Sequence, residues 1–121
     1  MKPIFNFQKL EAWQKARQFV RSTYTISKKL PKEELFGLTN QMRRSAVSVV
    51  ANIAEGTSRQ TSKDQAHFIS MSYSSLMETI SHMTVAFDQK YISEKEFTEL
   101  QREAYRLAQI LSALRRAQLK R

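Results

Sequence analysis

The side chains that could do chemistry are few, and most stand alone. His67 and His82 are the two histidines. If both lie on one helix, their spacing of 15 residues sets them about 22 Å apart at about 1.5 Å per residue, too far to share a metal within one chain. A di-iron bundle requires Glu-x-x-His motifs, and the chain contains none. Glu78 and His82 stand four apart, which on a helix favours a surface ion pair over half a metal site. Cysteine is absent, which excludes disulfides, thiolate ligands and cysteine nucleophiles.

Nucleophile and phosphate-loop patterns also fail. The two glycines, Gly37 and Gly56, cannot build a Gly-x-Ser-x-Gly elbow or a glycine-rich phosphate cradle. Asn52 and Glu55 form the most suggestive polar pair, at i,i+3 near the end of an apolar stretch. Their expected role is structural: satisfying buried polar groups and closing the turn into Gly56. No matched acid and base emerge, so the sequence reads as non-enzymatic, with no cofactor and no metal.

Four amphipathic segments must position whatever surface does the work. Two glycines and two prolines are too few turn formers for an all-β fold of 121 residues. The first segment spans about 9–30. Ala12, Ala16, Phe19, Ile26 and Leu30 mark one apolar stripe beside another of Leu10, Trp13, Val20 and Tyr24. Pro31 to Gly37 reads as a connector with one helical turn.

The second segment spans about 38–55, on Met42, Ala46, Val49 and Ile53, with Gly56 as its stop. Residues 45–54 carry no charge, so this helix is expected to be covered on most sides. Its stripe of Ser45, Ser48 and Asn52 would allow a close helix approach. The third segment spans about 63–90, capped by Ser62 with Gln65, on a seam of Ile69, Tyr73, Leu76, Ile80, Met83 and Phe87. The fourth spans about 94–119, capped by Ser93 with Glu96, on Phe97, Leu100, Ala104, Leu107, Leu111 and Leu114. Short links make neighbours antiparallel, so 1–121 is expected to form one all-α, up-down-up-down four-helix bundle.

Charge supplies the functional hint. Twenty basic against eleven acidic residues leave +9, distributed as +5 in 1–37, +2 in 38–60, −1 in 61–92 and +3 in 93–121. A small domain this basic is suited to a polyanion. The candidate phosphate contacts are Arg17, Arg21 and Lys28 on one face of the first helix, Arg43 and Arg44 on the second, and Arg115 and Arg116 near the end of the fourth. The aromatic residues fall mostly on helix seams, so recognition would run through backbone phosphates rather than bases. No apolar run reaches the 18 or so residues of a membrane span, and the first residues show no secretory h-region. The expected setting is cytoplasmic, without a membrane partner.

Three blocks carry a family resemblance. The run Phe7-Gln8-Lys9-Leu10-Glu11-Ala12-Trp13-Gln14-Lys15-Ala16, the run from Leu35 to Ser48, and Ala51-Asn52-Ile53-Ala54-Glu55-Gly56 resemble, in this order, the 23S rRNA intervening-sequence proteins. Where many relatives have proline before the last block, this chain has Val50. The resemblance implies an antiparallel four-helix bundle, a homo-oligomer with a ring-like pentamer favoured, and a connection to RNA. It gives Asn52, Glu55 and Gly56 a structural or interface role. The competing expectation is an oligomeric protein-interaction scaffold, or an accessory subunit, that binds no nucleic acid.

Overall fold

The computed structural model describes residues 2–121. Four helices account for most of them: α1 (Glu11–Ser27), α2 (Leu38–Thr57), α3 (Ser62–Asp88) and α4 (Glu94–Leu119). Short 3-10 turns at Asn6–Lys9 and Lys32–Glu34 precede α1 and α2. Helices adjacent in sequence pack on one another, and α1 closes the ring against α4. This is an antiparallel four-helix bundle.

The core forms where apolar periodicity meets itself. Phe19, Met42, Ala46, Val49, Ile53, Leu76, Ala104 and Leu111 are fully buried. The third helix departs from its expected seam. Ile69, Leu76 and Met83 are buried, but Tyr73 is 38% exposed, and Ile80 and Phe87 are half-buried. Ser72, Thr79 and Ala86 take the vacated core positions. Small and hydroxyl-bearing residues let α2 and α3 approach closely, and this turns the larger residues toward α4.

Hydroxyls stitch that close contact together. Ser72 Oγ donates to the Val49 carbonyl at 2.7 Å, and Thr79 Oγ1 donates to Ser45 Oγ at 2.7 Å. Ser48 and Ser75 hydroxyls lie 2.9 Å apart. The serine-rich alternation around residue 72 thus belongs to a helix interface, where buried hydroxyls find partners.

Two expected termini move. Gly56 does not stop α2. It is buried inside the helix, and a Cβ there would lie 3.1 Å from Phe68 Cβ, so its small size serves the approach of α3. At the start of α3 the cap is Thr61 rather than Ser62, with Thr61 Oγ1 accepting from the Asp64 amide. The Ser93–Glu96 capping box of α4 is present in full.

Candidate nucleic-acid interface

The basic side chains fall into groups that do not converge. Arg17 and Arg21 are exposed on α1 and Lys28 at its C-cap, and Arg21 borders the α1–α4 groove beside Glu96, Glu99 and Glu103. Arg17 lies 5.6 Å over the Trp13 ring. Arg43 turns inward: its Nε donates to Ser27 Oγ at 2.8 Å, and its guanidinium sits 4.8 Å over the Tyr24 ring. Arg44, its neighbour, faces outward. Arg115 Nε donates to Ser70 Oγ at 2.7 Å, which draws it toward α3. Arg116 is exposed on the outer side of α4.

Arg116, which the sequence already sets beside Lys120 in a basic C-terminal cluster, has further company along α4. Lys95, Arg102 and Arg116 share a register of seven residues, and seven residues are nearly two helical turns. Arg106 and Lys120 lie beside them, and all five are exposed. The stripe spans about 37 Å along α4 at about 1.5 Å per residue. Among the described residues, none of the five has a carboxylate within ion-pair distance. The seven-residue recurrence was the available signal, obscured by the four glutamates in the first turns of the same helix.

Those glutamates point elsewhere. Glu96 pairs with Lys29 of α1, and Glu103 Oε1 accepts from Ser22 Oγ at 3.2 Å. Glu99 and Glu103 line the α1–α4 groove with Lys15 and Ser22, and Arg102 and Arg106 border the same groove without closing an ion pair to either. The acidic seam therefore sits between two basic stripes, one on α1 and one on α4. The Lys29 ammonium and the capping hydrogen bonds hold the Glu96 carboxyl below the usual carboxylate range.

Asn52 and Glu55 separate. Asn52 Nδ2 donates to the Ser48 carbonyl at 2.9 Å and to Ser48 Oγ at 3.1 Å. Glu55 is exposed and pairs with Arg59 at 3.3 Å. Arg59 in turn covers the Phe68 ring at 4.4 Å. Glu78 and His82 make their i,i+4 contact at 3.2 Å. Among the described residues, no three His, Asp or Glu side chains gather closely enough to hold a metal ion.

The uncharged stretch of α2 is covered on most sides, as expected, and only a narrow strip of it stays open. Val47 is 41% exposed, and Ala51 is also exposed, so one face lacks a partner within the chain. Among the described residues, no helix is long and apolar enough to cross a membrane.

The family model described as 23S rRNA-intervening sequence protein matches residues 8–113. The chain belongs to that family. The 23S rRNA-intervening sequence protein fold also has a solved likeness: a crystal structure of a protein with unknown function from the S23 ribosomal protein family of Bacteroides thetaiotaomicron. It superposes with a TM-score of 0.79 at 19% identity, covering 85% of this chain and 96% of that one. At that identity the likeness concerns the fold. No curated protein matches the chain.

Proposed function

We propose that this 23S rRNA-intervening sequence protein is a non-enzymatic, homo-oligomeric bundle that holds RNA or another nucleic acid by its phosphates. The observation that carries the reading is the row of Lys95, Arg102, Arg106, Arg116 and Lys120, exposed along α4 without acidic partners. Each such cation displaces a counterion from a phosphate backbone, which makes binding strong at low salt and weak at high salt. Arg17, Arg21 and Lys28 extend the surface onto α1, which packs beside α4, whereas Arg44 lies on α2, diagonal to α4, as a separate patch. Arg43 and Arg115 are held by Ser27 and Ser70 and contribute less. The cellular setting of this reading is the cytoplasm.

The oligomeric part of the reading is supported by α2. Its exposed Val47 and Ala51 lie on a face without charge between Arg44 and Glu55. A second copy is the natural cover, and the ring-like pentamer implied by the family is the assembly we propose. Repetition around an axis would multiply the α4 stripe and raise avidity. Sedimentation should then show an oligomer, and Val47→Glu with Ala51→Glu should return it to monomer.

The deciding measurement is anisotropy of a labelled ribosomal RNA hairpin between about 50 and 200 mM salt. Affinity should fall linearly in log–log form. Changing Arg102, Arg106, Arg116 and Lys120 together to Gln should reduce the slope by about 3. An unchanged slope would overturn the assignment of the stripe. Absent binding at low salt would favour the scaffold reading, for which Phe36, 90% exposed beside Leu35 at 47%, offers an apolar contact point.

A further inference from the structure

One groove lies on the other side of the basic stripe, away from the glutamate seam. It runs between α3 and α4 and is lined by Ile80, Thr98, Gln101, Arg102, Tyr105 and Arg106, with a volume of about 470 Å³. The groove is open to solvent along most of its length, so it would hold a ligand by one face. Tyr105 is 66% exposed. On a soluble helix that leaves most of an aromatic face in water, and no aromatic partner covers it among the described residues.

The neighbours of Tyr105 define what would cover it. Arg102 and Arg106 stand at i−3 and i+1 and bring two unpaired guanidinium groups to its edges. Thr98 and Gln101 supply uncharged donors and acceptors. Half-buried Ile80 provides an apolar floor from α3. A flat ring flanked by guanidinium cations and amide or hydroxyl groups suits a nucleobase whose own phosphates lie on the cations. A base within a duplex is stacked on both faces and cannot reach the tyrosine.

Resting on the phosphate-binding reading above, we propose that the Tyr105 groove seats an unpaired base of single-stranded RNA. The α4 stripe then tracks the strand's backbone, and Tyr105 discriminates unpaired from paired segments. The bases would contribute through stacking, which tolerates any sequence, with Thr98 and Gln101 adding a mild preference.

The test uses the full-length protein at low salt with three labelled probes: a short unstructured RNA strand, an abasic strand of the same length, and a blunt RNA duplex. The native protein should prefer the base-bearing strand over the abasic one by about ten-fold, the size of one base–aromatic stack. Tyr105→Ala should abolish that preference and leave abasic and duplex binding unchanged. Tyr105→Phe should keep it. Because Tyr105 is exposed, the Ala variant should retain the native circular-dichroism melt. A preference that survives Tyr105→Ala, or an equal loss on all three probes, would overturn the base seat while leaving phosphate binding in place. Failure of all three probes to bind even the native protein would overturn the phosphate reading and the base seat with it.

Discussion

Arg43 Nε donates to Ser27 Oγ at 2.8 Å, across the junction of α1 and α2. The hydroxyl is nearly fully buried and passes its own proton to the Tyr24 carbonyl at 2.9 Å. Arg43 thus locks the last turn of α1 onto the second turn of α2, with the Tyr24 ring beneath its guanidinium. Charge-assisted hydrogen bonds of this kind contribute about 1.5 kcal/mol or more. Arg43→Ala should lower stability by about 1–2 kcal/mol in urea unfolding, and RNA affinity should change less than it does for Arg102→Ala.

Lys90 occupies the left-handed region at φ 64°, one residue past the Gln89 C-cap of α3. The following amide, of Tyr91, donates to the Ala86 carbonyl at 3.0 Å, closing a Schellman-type turn. A side chain in that conformation costs about 1 kcal/mol relative to glycine. Lys90→Gly should therefore raise stability by about 0.5–1 kcal/mol, measured as a higher thermal midpoint, although it removes a side chain.

Gly56 faces the opposite trade. Alanine is the better helix former by about 1 kcal/mol. Its Cβ would stand 3.1 Å from Phe68 Cβ and 3.4 Å from the Gln65 carbonyl, both fixed to the α3 backbone. Overpacking against backbone-anchored atoms costs about 1–3 kcal/mol. Gly56→Ala should give a net loss of about 1 kcal/mol in chemical denaturation, and Gly56→Val a larger one.

Glu96 carries a pH signature. Its folded carboxyl titrates below the usual range because Lys29 and the capping amide of Ser93 favour the ionised form. The unfolded chain then takes up its proton first as pH falls. The stabilisation is complete above about pH 4.3 and is lost as pH drops through the folded value. Relative to Glu96→Gln, the native protein should lose stability more steeply on acidification from about pH 5 downward. Denaturation midpoints of the two proteins across that range would check it.

Much of the bundle was readable because helical periodicity is a direct record of burial. Met42, Ala46, Val49 and Ile53 were marked by spacing and are wholly buried. The start of α4 at Ser93 was equally legible, since a capping box is local chemistry. On the α3 seam Ile80 is half-buried against the core, while Tyr73 sits at its exposed rim. Their apolar spacing is sound, but Ser72 and Thr79 gain more by hydrogen bonding to α2, and that depends on a partner 23 or more residues away. Gly56 was misread for a related reason: a glycine that ends a helix and one that admits a neighbour look alike in sequence. Arg43 and Arg115 were legible as cations. That Ser27 and Ser70 engage them depends on how α1 meets α2 and α3 meets α4.

The hydroxyl stitching between α2 and α3 also bears on the order in which the molecule assembles. These helices share the most extensive interface, and a link of only four residues, 58–61, joins them. Closing so short a loop costs little chain entropy. The α2–α3 hairpin is thus the part that can form first and open last. The α1–α4 seam joins the two ends of the described chain, so its closure requires the longest loop. Opening that seam would disperse the Lys29–Glu96 contact while leaving the α2–α3 hairpin intact. The basic stripe is therefore carried by a helix whose attachment on one side is the last to be made.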